Sequence, residues 1–92
     1  MNPEDLKTFD FTIDPDEPLF IIGVVSHLVE IPIWTLRKLY QMQIVSPQRV
    51  GKKTRCYSKR QIQQLQYVSY LMEEKGVNIS GVKVILEMDQ RE

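Results

Sequence analysis

The sequence is poorest in the residues that do covalent and metal chemistry. Among 92 residues there is one cysteine, one histidine and one tryptophan. A single cysteine, Cys56, forms no internal disulfide, and with His27 alone beside it no tetrahedral Cys/His zinc site can be assembled. No glycine-rich phosphate loop is present, the basic stretch from Ile31 to Met72 holds no carboxylate pair, and nothing pairs a nucleophile with a base, since Glu30 is the only acid at helical spacing from His27. An enzyme is not expected, and neither is a cofactor. Long apolar runs are missing too: the longest, Leu19 to Val25, is far short of the roughly 20 residues a bilayer span needs. A secretory leader is not expected, because Met1 to Asp10 carries three acids and one lysine. A single cytoplasmic domain without a membrane partner is the expectation, too short to divide into two cores.

Acid is absent where it would neutralise base. Residues Ile31 to Met72 contain no Asp or Glu, whereas eight basic side chains fall between Arg37 and Arg60. The formal net charge of zero therefore conceals an acidic arm over 1–18, at minus five, and a body from Leu19 to Leu86 at plus seven. Such segregation is the electrostatic footprint of a polyanion-binding surface, most often one for nucleic acid.

The apolar pattern predicts short elements. Phe9, Phe11 and Ile13 alternate with polar residues as in a strand, before a turn with two prolines from Asp14 to Pro18. A short helix is expected over Val24 to Val29, and a second beginning at or just after Pro32. In the second, Leu36, Leu39 and Tyr40 form the inward stripe, leaving Trp34, Arg37, Lys38 and Gln41 on another side. Ile44-Val45 and Arg55-Cys56-Tyr57 then flank Gly51 to Thr54 as a β-hairpin with basic sides and tip, in which alternation turns Cys56 inward. Ser58 and Gln61 have capping-box spacing, so a helix should start at Lys59, with Ile62, Leu65, Val68, Leu71 and Met72 as its stripe and Gly76 as its stop. Asn78 caps a last helix carrying Ile79, Val82, Ile85 and Leu86. The fold class is mainly α with a small β-hairpin: a winged helix-turn-helix over 19–88, between the arm and a polar tail at 89–92.

Several stretches resemble the MerR family of bacterial transcription regulators: Ile22-Gly23, Thr35-Leu36-Arg37, Ile44-Val45-Ser46-Pro47, and Arg55-Cys56-Tyr57-Ser58 leading into Ile62 and Leu65. Within that family, Val45-Ser46-Pro47 with Gly76-Val77-Asn78-Ile79 and Gly81-Val82-Lys83 is most similar to the HspR heat-shock repressor subgroup. The resemblance implies sequence-specific binding of double-stranded DNA by a transcriptional regulator, in this subgroup a repressor, with a chaperone or other protein as a further partner. Glu30 and Gln43 stand where the family commonly has glycine.

In such a protein the second helix enters the major groove and the wing lies along the backbone. The candidate DNA-binding residues are Trp34, Thr35, Arg37, Lys38 and Gln41 from the helix, with Arg49, Lys52, Lys53, Arg55 and Tyr57 from the wing. Arg37 suits bidentate recognition of a guanine edge or phosphate, and the wing bases suit phosphate neutralisation. Trp34 either packs against protein, with the Phe9 and Phe11 arm as cover, or stacks on sugar or a thymine methyl. Tyr57 either reaches phosphate through its hydroxyl or packs the hairpin onto the helices. Family members commonly pair through a long helix after the fourth, whereas four polar residues follow Met88 here. The expectation is a monomer when free, with any pairing on DNA or through a small patch such as Trp34 with the aromatic arm. An excisionase-like or architectural DNA-binding protein shares this build, and a protein interaction module displaying Trp34 is the reading outside DNA binding.

Overall fold

A computed structural model describes residues 13–89. The expected Phe9–Phe11 extended arm and the tail after Asp89 lie outside them. Seven elements follow one another: β1 (Phe20–Ile21), α1 (Ile22–Val29), α2 (Ile33–Gln41), β2 (Gln48–Arg49), β3 (Arg55–Tyr57), α3 (Lys59–Glu73) and α4 (Ile79–Asp89).

The turn between α1 and α2 is held from both sides. Glu30 ends α1 in the left-handed region, at φ 56°. The Ser26 hydroxyl donates to the Ile31 carbonyl at 2.6 Å, and the Pro32 carbonyl accepts the Thr35 and Leu36 N–H groups at 3.0 Å. Proline costs nothing here, because a helix leaves its first N–H groups without intrahelical acceptors. Helix α2 closes in a Schellman arrangement: Gln43 takes φ 59°, its N–H donates to the Tyr40 carbonyl at 3.0 Å, and the Ile44 N–H donates to the Leu39 carbonyl at 2.9 Å.

That closure displaces the hairpin from its expected start. Ile44 is consumed by the end of α2 and Val45 enters the core, so pairing begins only after Pro47, at Gln48 rather than Ile44. Gln48 faces Cys56 and Arg49 faces Arg55, both antiparallel, and the Val50 N–H closes the tip on the Thr54 carbonyl at 2.9 Å. A third strand extends the hairpin. Phe20 pairs with Tyr57 and Ile21 with Cys56, which makes an antiparallel sheet in the order β1-β3-β2. A two-residue strand is too short to show a period of two, and Phe20 and Ile21 were hidden in the apolar run that leads into α1.

Helix α3 starts at Lys59 as the capping box predicts. The Ser58 hydroxyl accepts the Gln61 N–H at 3.2 Å, and the Gln61 side chain accepts the Ser58 N–H at 3.0 Å. Gly76, at φ 66°, turns the chain toward α4, where Asn78 Oδ1 accepts the Gly81 N–H at 2.8 Å as an N-cap. The core draws on every helix: Val25 and Val29 from α1, Leu36 and Leu39 from α2, Leu65, Val68 and Leu71 from α3, Val82 from α4, with Ile31, Val45 and Tyr57. Ile79, Ile85 and Leu86 pack against it from α4, leaving Val84 and Met88 as that helix's exposed apolar side chains. No helix among the described residues is long and apolar enough to cross a membrane.

Candidate nucleic-acid interface

The buried stripe of α2 fixes what its other side displays. With Leu36 and Leu39 fully buried, Trp34, Arg37, Lys38 and Gln41 emerge at helical neighbour spacing as one exposed row. Trp34 stands at 71% exposure, so the described residues do not bury it, and the Phe9 and Phe11 arm considered as its cover lies outside them. The cause of its exposure is its place at the start of a short helix: the neighbouring positions Thr35 and Leu36 take the inward direction, and the shallow groove beside Trp34 is formed by Glu30, Ile31, Pro32, Thr35, Ser69, Met72 and Glu73.

Not every expected contact residue reaches the surface. Thr35 is 4% exposed and Tyr57 1%, so neither side chain is available to DNA in this conformation. Thr35 turns inward beside Leu36 at the first turn of α2. Tyr57 belongs to the core cluster and packs the hairpin onto the helices, the second of the two roles open to it. Its hydroxyl is buried and has no hydrogen-bond partner among the described residues. Burial, reinforced by the adjacent Tyr40 phenol, raises the Tyr57 pKa above its ordinary value of 10.0. Cys56 is buried and free, as alternation predicted.

The hairpin brings Lys53 and Arg55 to the same side as α2. Arg49, Lys52, Lys53 and Arg55 are all exposed. Between helix and hairpin lies an open cleft of about 400 Å³ lined by Ile22, Arg37, Tyr40, Gln41, Pro47, Lys53, Arg55 and Tyr57. Three cations and no carboxylate face this space. Lys38 and Trp34 continue the row along α2, away from the cleft, while Arg49 and Lys52 extend the positive surface along the hairpin.

Tyr40 is the interface residue that periodicity misplaced. Counted with the buried stripe, it is only half-buried and reaches the wing: the Arg55 guanidinium donates to the Tyr40 hydroxyl and its Cζ lies 5.0 Å from the ring centroid. Tyr40 sits three residues from Arg37, and that spacing was the available clue to its place at the cleft.

The end of the acidic segment meets the body at the first turn of α3. Arg60 Nε donates to Asp16 Oδ1 at 2.7 Å, and the Arg60 N–H donates to the Pro15 carbonyl at 2.9 Å. The guanidinium beside Asp16 lowers that carboxyl's pKa from 3.8. No cluster of three or more His, Cys, Asp or Glu side chains capable of holding a metal ion occurs among the described residues.

The family model of the MerR HTH family regulatory proteins matches residues 20–89, which take in the helix pair, the basic hairpin and both later helices. The chain belongs to the MerR family. Among curated MerR-type relatives, a Streptomyces coelicolor protein carrying the name heat shock protein HspR is 32% identical over 81 residues, covering 88% of this chain and 54% of its own length. Proteins named HTH-type transcriptional regulator GlnR from Bacillus anthracis and Bacillus cereus are each 29% identical over 75 residues, covering 82% of this chain and 57% of theirs. The chain thus spans a little over half the length of the curated relatives it matches. Family and relatives are regulators with a MerR-type DNA-binding domain, not enzymes.

Proposed function

We propose that this chain binds duplex DNA sequence-specifically as the DNA-reading part of a transcriptional repressor, with α2 in the major groove and the hairpin along the backbone. The observation that carries this reading is the cleft where Arg37 and Gln41 of α2 face Lys53 and Arg55 of the hairpin with no carboxylate between them. A backbone following the hairpin would meet Arg49, Lys52, Lys53 and Arg55 in turn. The exposed row on α2 would then meet base edges, where arginine and glutamine discriminate by bidentate hydrogen bonds. The repressor role, and a chaperone or other protein as a further partner, rest on the resemblance of the Val45-Ser46-Pro47 and Gly76 to Lys83 stretches to the HspR subgroup.

The test is a titration of the purified chain with duplex DNA from its own gene's promoter, over a range of salt. About four to six phosphate contacts give a slope of log affinity against log salt of roughly −3.5 to −5.5. A slope near zero, or no binding at low salt, overturns the proposal. Equal affinity for promoter and random DNA removes the sequence-specific part of it.

A further inference from the structure

Arginine at the flank of an exposed hairpin tip is a poor grip unless something aims it, because its long side chain has many rotamers to lose when it settles on a phosphate. Arg55 is exposed, yet it is not loose. Its guanidinium lies over the Tyr40 ring at 5.0 Å and donates to the Tyr40 hydroxyl, so one side chain engages both its face and one of its donors. A guanidinium has five N–H donors in a planar fork, so the bond to Tyr40 leaves others free to grip an anion.

The support beneath this pair is rigid. Tyr40 is half-buried in α2, directly after Leu39, which is fully buried, and its carbonyl accepts the Gln43 N–H in the closure of that helix. Arg55 opens β3, the central strand of the sheet, paired to Arg49 on one side and followed by buried Cys56 and Tyr57. The contact joins residues on two separate elements, each anchored in the core. Both line the cleft that also takes Arg37 and Lys53.

We propose that Tyr40 is a positioning residue for DNA binding, holding the Arg55 guanidinium over the cleft between α2 and the hairpin so that it grips a backbone phosphate with its remaining donors. The role rests on the DNA-binding reading above. Tyr40 needs no contact with DNA to perform it: the ring restricts the guanidinium plane and the hydroxyl fixes its rotation. Phenylalanine would keep the first effect and lose the second. Leucine would lose both.

The experiment measures promoter-DNA affinity for wild type, Tyr40→Phe, Tyr40→Leu, Arg55→Ala and the double variant Tyr40→Leu/Arg55→Ala, with thermal melts confirming the fold of each. Freeing one guanidinium side chain should weaken Tyr40→Leu by about tenfold. Tyr40→Phe should fall between it and wild type and also guards against a leucine variant that fails to fold. The deciding comparison is the double variant: once Arg55 is gone, Tyr40→Leu should cost nothing further. A general packing role would weaken binding equally in both backgrounds, and that result overturns the proposal, as does a folded Tyr40→Leu chain that binds like wild type. Absence of salt-dependent binding by the wild-type chain sinks the functional reading and this inference together, whereas additive variants of a DNA-binding parent sink only the role of Tyr40.

Discussion

The Asp16 carboxylate holds the Arg60 guanidinium across 44 residues of chain, Oδ1 to Nε at 2.7 Å and Oδ2 to Nη2 at 3.4 Å. This pins the segment before β1 to the first turn of α3, in the same place where the Pro15 carbonyl accepts the Arg60 N–H. Both side chains are open to water, so the pair contributes little. Because the fold depresses the Asp16 pKa, its contribution is present above the unfolded value of 3.8 and is lost as pH falls through the lower folded value. The small melting-temperature difference between wild type and Asp16→Asn should therefore persist at neutral pH, vanish in acid, and shrink in high salt. Melts from pH 2 to 7 at two salt concentrations check it.

Ser58 caps α3 reciprocally with Gln61, and the Gln61 amide has a second task, donating to the Ser46 carbonyl at 2.6 Å. Ser58→Ala should cost about 1 kcal/mol by losing the cap. Gln61→Glu preserves the acceptor that the Ser58 N–H uses but removes the donor to Ser46, setting a carboxylate against a carbonyl. It should destabilise although glutamate is an ordinary capping-box residue. Urea unfolding of both variants measures this.

Helices were legible wherever a stripe and a stop signal coincided. Ser58 and Gln61 marked the start of α3, Gly76 its exit, Asn78 the cap of α4, and Pro32 the entry to α2. Strands were legible only in part, because two or three residues carry no period. β1 went unseen inside an apolar run, and Ile44-Val45 looked extended although one closes a helix and the other fills the core. For the interface, charge segregation pointed to the basic face before any geometry, but burial is a property of the assembled fold. Thr35 and Tyr57, read as contact residues, lie inside, while Tyr40, read as core, sits at the edge of the cleft. Trp34, whose role the sequence left open, is exposed because little among the described residues packs beside the start of α2.

Glu30 and Gln43 both occupy the left-handed region, at φ 56° and 59°. An L-residue there costs roughly 1–2 kcal/mol, of which glycine gives back about 0.4–1 through its greater freedom in the unfolded chain. Glu30→Gly and Gln43→Gly should each stabilise the domain by about 0.5–1 kcal/mol, additively, since they end different helices. Raised denaturation midpoints with an unchanged slope are the expected result.

The two basic elements should separate in their response to DNA sequence. Lys52 and Lys53 sit at the hairpin tip, where an ammonium acts as a point charge on whichever phosphate passes. Replacing both with alanine should weaken promoter and random DNA alike and reduce the magnitude of the salt slope by about 1.8, two phosphates at about 0.9 each. Arg37 stands in the exposed row of α2 beside Gln41, on rigid helix rather than at a turn. If α2 reads the groove, Arg37→Ala should cost about 1–3 kcal/mol on the preferred site and much less on random DNA, narrowing the ratio between them. Arg37 also lines the cleft with Lys53 and Arg55, so a purely phosphate-binding role is the competing outcome. Paired titrations decide between them: equal losses on both DNAs, with a slope lowered by about 0.9, would make Arg37 one more backbone contact and move sequence readout to Lys38, Gln41 or Trp34.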